Sequence, residues 1–270
     1  MTLLSVLERA ISAGKQVVLD NMDQATKQTG EINPFGDNTL LLDRYAEDAI
    51  IDSLQKSGIP MTLLTEEQGV LNIGDPPEYI VIIDPIDGSA NLERYIPLCS
   101  IGISAAPFSS TATTDDLEVS IIDSFFTDEL YIARKGMGVT KNGKRVQVAE
   151  PIATKSAIIS YDTKKEWDLE FANGSTQVMQ AVHDIRRTAS NLLDLCWVAA
   201  GSLDAMADLR DILPIVHVCG THMVVEAGGY VVTRSGDRLC LPLEMNQKMS
   251  FIAASSESLA RDILRAYRSN

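Results

Sequence analysis

The chain has 270 residues, 45% of them hydrophobic and 22% charged, with a formal net charge of −14, a globular composition long enough for one large or two modest cores. The acidic balance excludes a broad nucleic-acid surface, because phosphate backbones are held by clustered Lys and Arg, and no apolar run approaches the roughly 20 residues that cross a bilayer. The four cysteines, Cys99, Cys196, Cys219 and Cys240, are widely spaced with no C-x-x-C pair and read as reduced core thiols; with no secretory leader in Met1–Arg9, the expected location is the cytoplasm.

In chain order, Leu4, Leu7, Ile11, Val18 and Met22 fall at helical spacing and predict a helix over 2–23, and Leu41, Tyr45, Ile50 and Leu54 predict another over 40–56. Between them, residues 30–37 have the Gly, Pro and Asn content of a mobile loop. Two apolar runs then end in acids: Met61–Leu64 leads into Glu66-Glu67, and Tyr79–Ile83 leads into Asp84-Pro85-Ile86-Asp87-Gly88-Ser89. Pro85 cannot donate to a sheet ladder and Gly88 tolerates unusual dihedrals, so the second strand is expected to stop at this point and bend around whatever lies between its acids. Strand-like runs follow at 99–107, 117–124 and 129–134, with a hairpin at Asn142-Gly143. Beyond Pro151, strand-like and helical segments alternate at 156–160, 174–182, 190–200, 204–207, 217–227, 230–233 and 250–254, before a closing helix near 257–268. The change of pattern suggests two subdomains, 1–150 and 151–270.

The acid pairs carry the chemical signal. Adjacent carboxylates raise each other's pKa unless a cation or a shared proton intervenes, and hard cations such as Mg2+ take shells of carboxylate, carbonyl and water oxygen. Asp, Pro and Gly also make up ordinary turns, so one such pair decides little. Two strands that both end in acids shift the reading toward a metal centre. Glu66-Glu67, then Asp84-Pro85-Ile86-Asp87-Gly88-Ser89-Ala90-Asn91, then Glu226-Ala227-Gly228-Gly229 resemble the inositol monophosphatase superfamily, in the right order and across nearly the whole chain. Gly36-Asp37-Asn38-Thr39 with Leu42-Asp43, the run from Asp194 to Gly201, and Asp208-Leu209-Arg210 are similar to its archaeal-type branch, which often combines inositol-1-phosphate and fructose-1,6-bisphosphate phosphatase activities.

The resemblance implies an α/β fold, the layered α-β-α-β-α sandwich of the sugar phosphatases in two subdomains, with 1–150 carrying most metal ligands and 151–270 completing the substrate site. It implies metal-dependent hydrolysis of a phosphate monoester by an activated water, with two or three Mg2+ ions and no covalent nucleophile. Glu66, Asp84, Asp87 and the carbonyl of Ile86 are the implied ligands. Asp43 and Ser89 are the implied pair that orients the water, and Glu67 is a catalytic acid just outside the ligands. Asp87, Gly88 and Ser89 at a short helix start, with Arg186, Arg187, Ser190 and Arg210, are the implied substrate contacts. The implied substrate is a small phosphorylated polyol or sugar, and the implied assembly is a homodimer.

One departure matters. The branch pattern D-V-R-x-x-L-R-V-V-D runs here from Asp208 to His217, so His217 stands where the family keeps a metal-binding aspartate, and the interval to Glu226 is one residue short. Asp211 is the nearest acid that could take its place. Imidazole suits Zn2+, Mn2+ or Co2+ better than Mg2+, so the site is expected to prefer a softer metal, hold fewer ions, or lose activity. His183 and His222 read as packed or hydrogen-bonded core residues. Two other functions fit the same residues: a phosphatase of this fold acting on a nucleotide 3′-phosphate, and a weakly active relative that binds a phosphorylated ligand.

Overall fold

The computed structural model describes residues 2–163 and 168–269. Thr2 caps α1 (Leu3–Asp20), accepting from the Ser5 amide, and Val6, Leu7, Ala10, Ile11, Gly14 and Val18 form its buried stripe. The segment expected as a mobile loop is instead largely a hairpin, β1 (Gln28–Ile32) and β2 (Asn38–Leu40). Its turn explains the difference: Asn33 Oδ1 accepts from the amides of Phe35 and Asp37, each at 3.0 Å. Such an Asx turn has the composition of a loop but a fixed geometry. α2 (Leu41–Gln55) follows and packs against α1.

β3 (Met61–Thr65), β4 (Gly69–Ile73), β5 (Tyr79–Asp87), the single turn α3 (Ser89–Leu92), β6 (Ser100–Pro107), β7 (Val119–Ser124), β8 (Leu130–Arg134), β9 (Gly138–Lys141) and β10 (Lys144–Val146) come next. Their strands form a sheet in the order β10-β9-β8-β7-β6-β5-β3-β4. The Asn142-Gly143 turn forms as expected, with φ of +49° and +75°. β4 is an edge strand with alternate residues outward, so it lacks the apolar run that would have announced it. β5 corrects the sequence reading, because it continues through Pro85 to Asp87. It pairs Asp84 with Gly102 and Asp87 with Ser100 across a bulge, where three residue steps on β5 face two on β6, and a bulge is where a strand tolerates a proline without a donor.

The second sheet arises from β11 (Ile158–Tyr161), α4 (Leu169–Ala181), β12 (Asp184–Arg186), α5 (Asn191–Ala199), β13 (Ala205–Pro214), α6 (Val218–Glu226), β14 (Tyr230–Thr233), β15 (Lys248–Ala254) and α7 (Glu257–Arg268), in the strand order β12-β11-β13-β15-β14. α4 begins earlier than expected because Asp168 accepts from the Phe171 amide at 2.7 Å and caps it. β13 is longer than its apolar run because Asp208 and Arg210 satisfy each other inside the strand.

The layers run α1 and α2, large sheet, α5 and α6, small sheet, α4 and α7. β5 shows why: Val81 and Ile83 enter the core under α1 and α2, whereas Ile80 and Ile82 enter the core under α5 and α6. A strand buried on both faces reads as a continuous apolar run. On β6, Gly102 permits the close approach of α5 and α6, since a Cβ there would lie 2.5 Å from Leu192 Cδ1 and 2.8 Å from Cys219 Sγ. Cys99, Cys196 and Cys219 are free and buried; Cys240 is free but exposed, because neighbouring Leu239 takes the inward position. His183 is likewise exposed, in the turn between α4 and β12, whereas His222 is buried with Nδ1 2.7 Å from Ser120 Oγ. No described helix is long and apolar enough to cross a membrane.

Candidate active site

β3 and β5 are parallel neighbours, with Thr65 opposite Ile83, so both strands run toward the same end of the sheet and Glu66, just past the end of β3, arrives beside Asp84 of β5. Both carboxylate oxygens of Asp84 are buried and accept no hydrogen bond among the described residues. A buried polar group left unpaired costs about 1–3 kcal/mol, and more when charged. Burial pushes the Asp84 pKa well above the carboxylate range, and Glu66 and Asp87 add to it. Burial also pushes Glu66 up to about 7, with Glu67 and Asp87 adding and His217 pulling back. One ligand atom each from Asp84, Asp87 and His217 lies within 4.8 Å of the others. Orphaned oxygens, mutually repelling acids and a carboxylate–imidazole donor set together fit a divalent cation.

Asp87 is held from the other half of the chain. The Asn191 and Leu192 amides at the start of α5 donate to it at 3.1 and 2.8 Å, and Ser190 Oγ donates at 2.5 Å. Ser190, expected on the substrate side, is engaged with Asp87. His217 ends the turn Ile215–His217 ahead of α6, with Nδ1 3.3 Å from the Pro214 carbonyl and Nε2 3.5 Å from Asp84 Oδ2 and 3.6 Å from Asp87 Oδ1. Burial lowers its proton affinity, but the hydrogen bond and charge of Asp87, with Glu66, outweigh this and raise its pKa above the ordinary value. Asp211 lies elsewhere, on Arg234 at 2.9 Å. Glu226 lies beyond the centre, accepting from the Gly138 amide at 3.4 Å.

The first turn of α2 supplies Asp43, whose Oδ2 accepts from the Leu40 amide at 3.2 Å. Ser89 Oγ lies 3.4 Å from Asp43 Oδ1 and 2.9 Å from the Ile86 carbonyl, bringing the expected pair together. Burial, then Glu67 and Glu66, push the Asp43 pKa well up. Glu67 accepts from Thr39 Oγ1 and from Asn33 Nδ2 at 3.3 Å, which ties the β1–β2 hairpin to the site, and its amide donates to Glu47 Oε2 at 2.9 Å. Asn33, Thr39 and Glu47 went unassigned in the sequence. Glu47 carried a signal, lying four residues after Asp43 on the same helix face; burial pushes it up to about 7.

Around α5, Arg187 Nη2 meets Asp162 Oδ1 at 3.0 Å, and the buried Arg210 places Nη2 3.0 Å from Asp162 Oδ2 and 2.5 Å from Asp208 Oδ2. Arg210 therefore braces Asp162, which holds the more exposed Arg187. Arg186 pairs with Asp184 at 2.5 Å near the surface. Gly88, between Asp87 and Ser89, has φ +92°, and a Cβ on it would lie 3.0 Å from the Leu98 carbonyl oxygen. Gly88→Ala is therefore expected to destabilise the fold by about 1–3 kcal/mol and to reduce turnover. Thermal melting and phosphate release measure both, and a wild-type melting temperature would show the turn to be unstrained.

Residues 2–270 match the model of the Inositol monophosphatase family. A Methanothermobacter thermautotrophicus protein described as a fructose-1,6-bisphosphatase/inositol-1-monophosphatase is 31% identical over 253 residues, spanning 89% of this chain and 88% of that protein. A Pyrococcus furiosus fructose-1,6-bisphosphatase is 30% identical over 235 residues, spanning 87% of this chain and 85% of its own. A solved structure described as an inositol monophosphatase-fructose 1,6 bisphosphatase shares the fold with a TM-score of 0.84 and 26% identity, covering 98% of this chain and 100% of that one.

Proposed function

The chain belongs to the inositol monophosphatase family, and from that premise we propose that it is a metal-dependent phosphomonoesterase acting on inositol-1-phosphate, fructose-1,6-bisphosphate or both. The observation that carries this reading is Asp84, buried at the meeting point of Glu66, Asp87 and His217 with two oxygens that accept no hydrogen bond among the described residues. Asp84, Asp87, Glu66 and His217 would hold the cations, Mg2+ by family habit. The imidazole in the set favours Mn2+ or Zn2+ relative to an all-oxygen site. When bound, such ions supply positive charge to the phosphoryl oxygens and acidify a water.

The remaining steps belong to the chain. The amides at the start of α3 face the phosphate, and Ser89 Oγ orients the attacking water. The proton passes through Ser89 Oγ toward Asp43 Oδ1, whose buried carboxylate has a raised proton affinity suited to receiving it. Glu67 fixes the hairpin over the site, and Arg187, braced by Asp162 and Arg210, faces the sugar hydroxyls. In the same reading, 1–150 supplies most ligands, 151–270 completes the substrate site, and the protein works as a homodimer.

The test is phosphate release from inositol-1-phosphate, fructose-1,6-bisphosphate and a nucleotide 3′-phosphate, using chelator-treated protein with Mg2+, Mn2+ or Zn2+ added back. Turnover of a polyol or sugar phosphate is expected only with metal. Binding without turnover under every metal would sink the hydrolase reading.

A further inference from the structure

The turn that brings α5 to Asp87 is strained. Between β12 and α5, Ala189 takes φ +64°, a left-handed conformation that a residue with a Cβ holds only where its surroundings impose it. Local bonds supply part of the imposition. Thr188 Oγ1 accepts from the Ser190 amide at 3.1 Å and donates to the Ser190 carbonyl at 3.2 Å. The rest comes from the segment that follows Asp87. Asn91, in α3, is buried, and its Nδ2 donates to the Leu98 carbonyl at 2.6 Å and to the Thr188 carbonyl at 2.7 Å. A side-chain amide has two hydrogens to give, and here one stays within its own loop while the other crosses to the turn.

Gly88 completes the seat. A Cβ on it would lie 3.3 Å from the Ala189 carbonyl oxygen as well as 3.0 Å from that of Leu98, so its bare backbone lets the turn come close. The turn in its place presents three donors to one carboxylate: Ser190 Oγ and the Asn191 and Leu192 amides all reach Asp87. The contacts therefore form a ring. Asp87 is gripped by the start of α5, α5 is set by the turn at Ala189, and the turn is held by Asn91 from the same short segment as Asp87. Without the bond from Asn91, the strain at Ala189 favours a return to negative φ, which rotates the peptide ahead of Ser190 and draws the three donors away together.

We propose that Asn91 is a positioning residue for Asp87, acting through the strained turn at Ala189 rather than by touching the carboxylate. It rests on the hydrolase reading for its consequence, a cation bound at Asp87. The grip on Asp87 exists with or without that cation.

The test compares Asn91→Leu, which keeps most of the volume and removes the donor, with the double variant Asn91→Leu/Ala189→Gly. Glycine adopts the left-handed conformation without strain, so it should restore the turn that the loss of Asn91 releases. The control is Ser175→Ala, which cuts the buried bond between Tyr161 Oη and Ser175 Oγ on α4, in the core under α7. In chelator-treated protein, nuclear magnetic resonance reads the Asn191 and Leu192 amide protons, which a carboxylate acceptor moves downfield. Both are expected to shift upfield in Asn91→Leu and to return in the double variant. Ser175→Ala should lower the melting temperature and move neither. In calorimetric titration, Mn2+ affinity is expected to fall about tenfold in Asn91→Leu and to recover in the double variant, a rescue that a lost packing contact would not show.

Unmoved resonances in Asn91→Leu overturn the proposal. So does a shift that Ala189→Gly fails to reverse, which would make Asn91 a local support of its own loop. Shifted resonances with unchanged Mn2+ affinity would show that the grip does not position Asp87 for a cation, and would also overturn it. Should Asn91→Leu not fold, Ala189→Gly alone carries the test: both amides are expected to hold their downfield positions to a higher temperature than in wild type, and an equal or earlier loss overturns the proposal. Wild-type protein that binds no Mn2+ would refute the hydrolase reading, while the resonances would still decide whether Asn91 holds the grip.

Discussion

Asp84→Asn is expected to lower metal-dependent turnover by about 10³-fold or more while raising the melting temperature of the metal-free protein. The two effects share a cause. Asp84, Glu66, Asp87 and Asp43 crowd carboxylates into a buried space, which a cation stabilises and its removal leaves in mutual repulsion. The pH dependence follows with a definite sign. Glu66 and Glu47 are raised from 4.5 to about 7, and Asp194 from 3.8 to about 7. Between those limits the folded chain binds more protons than the unfolded one, so stability falls as pH rises. His217, also raised, contributes stability that is present at low pH and lost as pH passes its folded pKa, which is the same direction. The metal-free melting temperature should therefore fall between pH 5 and pH 7.5, and added divalent ion should raise it more at the upper end, where protons compete less. Asp84→Asn should flatten both trends. A metal-free melting temperature that climbs with pH across this window would remove the repulsion argument, and full activity in the variant would remove Asp84 from the metal centre.

His217→Asp is expected to act in the opposite sense. Nε2 already lies 3.5 and 3.6 Å from Asp84 and Asp87, so a carboxylate there adds a charged oxygen where Mg2+ finds a neutral nitrogen. Mg2+ affinity should tighten about tenfold or more, whereas Zn2+, content with imidazole, should gain less. Without metal the variant should melt lower than wild type, because a fifth acid joins the cluster. Calorimetric titration with each ion provides the measurement. Unchanged Mg2+ affinity would place His217 outside the ligand set.

The acid-tipped strands were legible because a strand buried on both faces announces itself as an unbroken apolar run, and its end marks where polar side chains can gather. Parallel pairing of β3 with β5 then made the two acid motifs neighbours, which the order of motifs implied but no single run could show. The hairpin over the site was not legible. Asn33, Pro34 and Gly36 serve loops and Asx turns alike, and only the hydrogen bonds to Asn33 Oδ1 separate the two. The same limit applied to Ser190 and Arg210. Sequence supplies a hydroxyl and a guanidinium, but Asp87 for one and Asp162 for the other come from distant segments brought together by the layered packing.

Asp87 has two engagements on one carboxylate: Oδ1 lies 3.6 Å from His217 Nε2 within the acidic cluster, and the carboxylate receives the opening amides of α5. A helix that unwound by a single turn would release the carboxylate at the same moment, so the geometry of the acidic cluster and local order are linked at one carboxylate. Amide exchange at Asn191 and Leu192 should consequently slow when metal is added, although neither amide touches the ion. A change sensed at the front of the large sheet is in this way written into the protection of a helix that begins more than a hundred residues later.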